Sequence, residues 1–185
     1  RAVVTISPNN PTGAVAPRDT LDAVNDLCRE RGLYHIHDEA YEYFAFGPTP
    51  VTAVAALPGA QAHTIALYSL SKGYGFAGWR IGFMVLPGHL HEAVLKVQDT
   101  NLICATRVAQ RAAVAVLGTD PDWRAARLAT IAAVRGPVLA ALGALAPALR
   151  PVANDGAFYV LGRVATDLPD LELVRRLVVD FGVAT

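Results

Sequence analysis

Lys72 and Arg80 belong to a glycine-rich stretch whose residue types suit carbonyl and phosphate chemistry. An apolar run at residues 64–70 predicts a short buried strand, and Ser69, Ser71 and Lys72 lie at its end. Serine hydroxyls and an arginine fork bind phosphate oxygens. A lysine amine held in a tight, partly dry pocket can form a Schiff base with a carbonyl group. The stretch therefore predicts a site for a phosphate beside a reactive carbonyl.

Two further turns carry polar side chains directly after predicted strands. The β-branched run at residues 2–6 is followed by an Asn-Pro-Thr-Gly turn that begins at Asn10. The next predicted strand, at residues 33–37, is followed by Asp38, with Tyr41 three residues later. An isolated Asn-Pro-x-Gly sequence is more typical of an ordinary turn. Open α/β sheets, however, bind ligands at the carboxyl ends of their strands, which makes both turns candidate ligand loops.

A helix between the first two predicted strands completes a β-α-β unit. Residues 17–31 carry their apolar side chains on one face, and Gly32 ends the helix. The two strands are therefore expected to be parallel. A fourth predicted strand, at residues 80–86, follows the third after a connection too short for a crossover helix, so we expect that pair to be antiparallel. The pattern predicts an α/β fold.

The second half of the chain is predicted to be mainly helical. Helices cover residues 89–117, with a break at 101–106, and a long helix follows at 120–145. The Gly-Pro pair at 136–137 should kink or break that helix, because proline lacks the amide donor. We then predict two strands and a helix, at residues 149–152, 157–161 and 171–181. The expected domains are a large one at 1–138 and the start of a smaller one at 139–185.

Composition limits the classes of function. With 185 residues, of which 53% are hydrophobic, the chain can bury a core, and its zero net charge favours neither nucleic acid nor an anionic membrane surface. No run of 18 apolar residues occurs, so we expect no membrane span. Cys28 and Cys104 lie far apart, which fits a reduced, cytoplasmic setting, and we place both in the core or on a helix face. Because the first residue is Arg1, we interpret the chain as part of a longer polypeptide.

Two histidine pairs could each be part of a metal site, but the sequence provides no complete set of ligands. His35 and His37 share a face of the second predicted strand, and His89 and His91 lie two residues apart. No cysteine or carboxylate completes a ligand set at the spacing of known zinc sites. We therefore predict no metal site.

Four segments, in this order and spacing, resemble the class I/II aminotransferases, which are pyridoxal-phosphate-dependent enzymes of fold type I. The segments are Asn10-Pro11-Thr12-Gly13, Asp38-Glu39-Ala40-Tyr41, Ser69-Leu70-Ser71-Lys72 and Gly78-Trp79-Arg80-Ile81-Gly82. The resemblance extends to Gly156-Ala157-Phe158-Tyr159 and so covers nearly the whole chain. It implies a three-layer α/β/α large domain with a mostly parallel sheet, present in part, followed by the start of a smaller α+β domain.

The resemblance implies roles for residues around the cofactor ring. Lys72 would hold pyridoxal 5'-phosphate as an internal aldimine and act as the catalytic base. Asp38 would pair with the pyridine nitrogen, and its charge needs such a cationic partner when buried. Tyr41 and Asn10 would bond the phenolic oxygen of the ring, with the Asn10–Pro11 peptide bond in the cis form.

The remaining implied roles concern the phosphate and the ring face. Ser69 and Arg80 would hold the phosphate, and Ser71 is a weaker candidate for the same group. The small side chain of Ala40 would pack against the face of the ring.

By this resemblance the polypeptide is an aminotransferase that moves an amino group between an L-amino acid and a 2-oxo acid. It would act as a cytoplasmic homodimer, without nucleic acid or membrane partners. Two alternatives stay open: another reaction on the same scaffold, by a β-lyase, cyclase or synthase, or a ligand-sensing domain of a transcription regulator. The arginine that clamps the substrate carboxylate in the family should lie beyond Thr185, so we expect this segment alone to be inactive.

Overall fold

Four strands form the main sheet of the computed structural model, which describes residues 1–152 and 154–185. The strands, in spatial order, are β1 (Ala2–Ile6), β2 (Tyr34–Asp38), β3 (Thr64–Ser69) and β4 (Gly82–Val85). β1 pairs with β2, and β2 with β3, in parallel, whereas β3 and β4 are antiparallel. The structure confirms the predicted strands, the parallel β-α-β unit and the antiparallel pair.

Helix α1 (Arg18–Glu30) connects β1 to β2 and packs beside the sheet. Leu21, Asn25 and Cys28 are its buried residues, and their spacing of three to four residues places them on one face. Leu21 packs into a core cluster with Val54, Leu57 and Ala60. The connection between β2 and β3 thus contributes apolar side chains that pack against α1.

A chain of polar side chains is buried between α1 and the sheet. Asn25 Nδ2 donates to His35 Nδ1 at 3.1 Å, which leaves the proton of that ring on Nε2. His35 Nε2 then donates to Thr5 Oγ1 at 2.7 Å, and the Thr5 hydroxyl donates to His37 Nδ1 at 2.6 Å. His37 Nε2 is buried and has no hydrogen-bond partner among the described residues. Burial lowers the pKa of His37 to about 4, so the ring is neutral.

Five further helices follow β3: α2 (Leu70–Gly73), α3 (His91–Asn101), α4 (Arg107–Leu117), α5 (Pro121–Gly143) and α6 (Asp170–Phe181). The break predicted at residues 101–106 is confirmed, since it separates α3 from α4. Asp120 caps α5 by accepting the Asp122 amide at 2.9 Å, and Pro121 takes the first helical position. Of the predicted kink or break at Pro137, the break does not occur, because α5 continues through it, and the kink stays a prediction. Ala133, whose carbonyl loses its amide partner, is exposed, so water can satisfy it.

A second, two-stranded sheet follows α5. β5 (Leu149–Pro151) pairs antiparallel with β6 (Gly162–Val164). The strand predicted at 157–161 is wrong: Ala157 has a φ of 54°, which breaks the extended backbone, and the next two side chains pack against aromatic rings of the large domain. The predicted domain boundary at 138/139 falls inside α5 and stays a prediction.

Helix α5 is long and apolar enough to cross a membrane by length and composition alone, with a mean hydropathy of 1.4 over its most apolar window. A lone helix of this kind is weak evidence for a span, since a helix of a soluble protein can meet the same criterion. None of its residues is buried, but some of its side chains contact the rest of the chain. Leu128 and Ile131 pack on the cluster around Tyr41, and Arg124 and Arg135 form hydrogen bonds with residues outside the helix.

Both cysteines are free thiols. Cys28 lies on the buried face of α1, as predicted. Cys104 is exposed in the segment between α3 and α4, so its predicted place in the core or on a helix face is wrong. Within the described part of the chain, no group of three or more His, Cys, Asp or Glu side chains could hold a metal ion.

Candidate active site

The four chemically active segments meet at one edge of the main sheet. The carboxyl ends of β1 and β2 pair at Ile6 and Asp38, and Asp38 pairs in turn with Leu67 of β3. Because β4 runs in the opposite direction, it begins at this same edge, where Gly82 pairs with Ser69. The turns that follow three strands and the turn that precedes the fourth are thereby placed side by side.

Lys72 lies in α2, a single helical turn directly after β3. Ser69 begins the helix, and its Oγ accepts the Ser71 amide at 3.2 Å. The lysine side chain reaches across to aromatic rings: its Nζ lies 5.9 Å from the centroid of the Tyr41 ring and 5.6 Å from that of Phe158. The structure therefore holds the one amine of this edge against two ring faces.

Tyr41 is buried and joined to two polar partners. Its hydroxyl accepts from Asn10 Nδ2 at 3.3 Å and lies 2.8 Å from the hydroxyl of Tyr159. Burial, and to a smaller extent the hydrogen bond with Tyr159, raises the pKa of Tyr41 to about 12, so the phenol keeps its proton at neutral pH. The Asn10–Pro11 peptide bond is cis, as predicted. The predicted pair of ring-oxygen ligands is thus brought into contact.

Asp38 and Ala40 form a tight turn at the end of β2. Asp38 Oδ1 accepts the amide of Ala40 at 2.9 Å, which fixes the carboxylate at the sheet edge. Ala40 packs against the cluster of Tyr41, Phe44 and Ala157. Both residues lie at the predicted edge, and their roles toward a cofactor stay predictions.

Arg80 lies in a strained turn before β4. It has a φ of 51°, in the left-handed region that favours glycine, and is exposed. Its guanidinium donates to the carbonyl of Ala77 at 2.9 Å, so the side chain folds over its own turn. Strain at a non-glycine residue is common at ligand sites. Arg80 lies two residues from Gly82, the partner of Ser69, but no direct bond joins the arginine to Ser69 or Ser71 among the described residues.

Three residues of this region were given no role from the sequence. Phe158 and Tyr159 contact Lys72 and Tyr41 as described above, although more than 80 residues separate the two segments. The only feature of the sequence that could have pointed to these two residues is the Gly-Ala-Phe-Tyr segment at 156–159. Glu39 is buried, and its Oε1 accepts the Tyr68 hydroxyl at 3.0 Å. Burial raises the pKa of this carboxyl to about 7, an effect that the residue type alone does not reveal.

The raised pKa of Glu39 predicts a pH-dependent cost to stability. The folded protein binds a proton on Glu39 up to about pH 7, whereas an exposed glutamate has a pKa of 4.5, so stability falls as pH rises from 4.5 through 7. Replacing Glu39 by Gln keeps an acceptor for Tyr68. We expect the substitution to stabilise the fold by on the order of 3 kcal/mol more at pH 8 than at pH 4.

Urea unfolding at the two pH values measures this difference. Glu30→Gln, at an exposed position at the end of α1, is the matched control and should show no such pH dependence. An equal effect of Glu39→Gln at both pH values would contradict the assignment.

Known proteins are similar in sequence to most or all of this chain. The model of the family "Aminotransferase class I and II" matches residues 1–185. Aspartate aminotransferase of Pyrococcus abyssi is 30% identical over 185 residues, covering 100% of this chain and 48% of the relative. Aromatic-amino-acid aminotransferase 2 of Thermococcus litoralis is 34% identical over 125 residues, which are 68% of this chain and 32% of the relative.

A solved structure gives the same answer for the fold. The crystal structure of an aromatic aminotransferase from Pyrococcus horikoshii superposes with a TM-score of 0.91 at 31% identity, covering 100% of this chain and 50% of that one. The chain thus spans about half the length of the relatives that it matches end to end. Similarity of sequence and of fold extends over all the segments that form the candidate site. The chain belongs to the class I and II aminotransferase family.

Proposed function

We propose that the polypeptide carrying this chain is a pyridoxal-phosphate-dependent aminotransferase, and that this chain provides much of its cofactor site. The observation that carries the proposal is the Lys72 amine, which lies against the adjoining rings of Tyr41 and Phe158 at the sheet edge where Asp38 lies. Family membership supports the same reaction.

The side chains of this edge include at least one suitable partner for each polar group of the cofactor. Lys72 offers an amine for the aldehyde, and Asp38 offers a carboxylate for the protonated pyridine nitrogen. Tyr41 and Asn10, already in contact at 3.3 Å, offer a phenol and an amide for the phenolic oxygen of the ring. The phosphate would be held by hydroxyl and guanidinium donors, from Ser69, Ser71 and Arg80. When bound, pyridoxal phosphate supplies an electron sink for the charge that develops at the substrate's α-carbon.

Some residues of the chain would bind the cofactor, and Lys72 would also transfer protons. Lys72, as general base, takes the proton from the substrate's α-carbon and returns a proton on the way to product. The Tyr41 ring, which is buried and 5.9 Å from the amine, shields that side of the amine from water. Tyr41 keeps its proton, as its raised pKa requires, and so can donate a hydrogen bond to an oxyanion.

The proposed substrates are an L-amino acid and a 2-oxo acid. Relatives named for aspartate and for aromatic amino acids support this class without selecting a side chain. We also propose a homodimer, without nucleic acid or membrane partners, in the cytoplasm, where the free thiols Cys28 and Cys104 would stay reduced. Since the chain covers about half of its relatives, we expect the 185-residue segment alone to be inactive.

The dependence of turnover on a 2-oxo acid tests this function. The full-length polypeptide, loaded with pyridoxal phosphate, should convert about one equivalent of amino acid per site without an oxo acid, and many equivalents when one is added. The burst is expected because the first half-reaction leaves the amino group on the enzyme. Continued turnover without an oxo acid would contradict transamination and favour a lyase, cyclase or synthase.

A further inference from the structure

The helix that carries Lys72 is too short to hold itself. α2 has four residues, whereas isolated helices need about 12 or more residues to be stable in water. Its position must come from side chains that anchor its ends. Leu70 at the start is 2% exposed, and Tyr74, which directly follows the helix, is 8% exposed. The amide of Tyr74 also donates to the Lys72 carbonyl, so the position of Tyr74 is transmitted to the lysine backbone.

The ring of Tyr43 packs against the end of α2, at Gly73. A Cβ atom added at Gly73 would overlap the Tyr43 ring, so the ring lies directly against the residue after Lys72. The Tyr43 and Tyr74 hydroxyls are 3.1 Å apart, and their rings pack edge to face with centroids 5.7 Å apart. The two tyrosines therefore hold the end of α2 between them.

Arg124, on α5, closes this arrangement from outside. Its guanidinium carbon lies 3.8 Å from the centroid of the Tyr43 ring, and its Nη1 donates to the Tyr74 hydroxyl at 3.0 Å. Stacking on one ring and bonding to the other requires the planar fork of arginine, which lysine does not provide. Arg124 is half-buried, so these contacts are partly protected from solvent.

We propose that Arg124 is a positioning residue for Lys72: it fixes Tyr43 and Tyr74 around Gly73 and thereby sets where the reactive amine lies. The effect passes from α5 to the end of α2 without any contact between Arg124 and the lysine side chain. The consequence for catalysis rests on the function proposed above, but the positioning itself does not. It also links the amine to the helix that leads into the β5–β6 unit.

Lysine labelling and amide exchange test the positioning without cofactor. The chain contains two lysines, Lys72 and the exposed Lys96, so the second is an internal reference for an amine-acylating reagent. In Arg124→Ala of the full-length, cofactor-free polypeptide, amide exchange at residues 70–76 should be about tenfold faster. Acylation of Lys72 relative to Lys96 should rise by about threefold or more, because the released amine is more accessible.

Arg127→Ala, at an exposed position of the same helix, is the matched control and should change neither quantity. Alanine favours a helix, so α5 itself should persist in both variants. If Arg124→Ala impairs folding, Tyr74→Phe removes the two hydroxyl bonds while keeping the ring, and a smaller shift in the same direction is expected.

The proposal would be overturned if amide exchange at residues 70–76 and acylation of Lys72 kept their wild-type rates in both Arg124→Ala and Tyr74→Phe. Equal changes in Arg127→Ala would also overturn it, because they would indicate a general effect of α5. A failure of the proposed function is recognised separately: the wild-type protein would then not react with pyridoxal phosphate at Lys72, whatever Arg124 does.

Discussion

Replacing Lys72 by alanine in the full-length polypeptide should lower the rate of amino transfer by at least about 10⁴-fold. The substitution removes both the amine that attaches the cofactor and the base that moves the α-proton, and a positioned base alone contributes about 10²- to 10⁴-fold. We do not expect Lys96 to replace it, because that residue lies exposed on α3, outside the four segments that form the candidate site. A steady-state assay with an amino acid and a 2-oxo acid measures the loss.

Two further variants complete the test: one keeps the positive charge at position 72, and the other removes the second lysine of the chain. Lys72→Arg keeps a positive charge, but a guanidinium stays protonated and cannot act as the base, so we expect a similar loss. Lys96→Ala should leave the rate unchanged. Substantial transfer by Lys72→Ala, or an equal loss in Lys96→Ala, would show that the chemistry lies elsewhere.

Acid should destabilise the fold through His37. The folded state keeps this buried ring neutral down to about pH 4, whereas an exposed histidine has a pKa of 6.5. Between these values the unfolded chain binds the additional proton, so the stability present above pH 6.5 is lost as pH falls to 4. For this residue the expected loss between pH 7.5 and 4 is about 3 kcal/mol.

The measurement is the free energy of urea unfolding at pH 7.5 and pH 4. His37→Asn removes the titrating ring, and its loss between the two pH values should be smaller than that of the wild type by about 3 kcal/mol. His91→Asn, at an exposed position at the start of α3, should behave as the wild type does. The same loss in His37→Asn as in the wild type would contradict the burial argument.

Elements defined by local patterns were predictable from the sequence. The strands of the main sheet are short apolar runs bounded by turns, and α1 shows its buried face in the spacing of Leu21 and Cys28. The edge at which the site forms also followed, since parallel strands joined by a helix bring their carboxyl ends together. The pairing of Asn10 with Tyr41, whose contact spans 31 residues, was implied only by the resemblance to the family.

Features that depend on distant packing were not predictable. The segment at 157–161 has the composition of a strand, but Phe158 and Tyr159 gain more by packing on Tyr41, and the backbone turns at Ala157 to allow it. The contact of Arg124 with Tyr43 depends on how α5 lies across the large domain, which no local pattern encodes. The raised pKa of Glu39 likewise follows from burial that only the folded chain creates.

Chemical trapping of the cofactor would identify the lysine that binds it. The full-length polypeptide is incubated with pyridoxal phosphate, reduced with borohydride, digested and mapped by mass spectrometry, since reduction makes a Schiff base permanent. We predict one modified lysine in this chain, Lys72, with Lys96 unmodified. An unmodified Lys72, or a label on Lys96 in its place, would contradict the account.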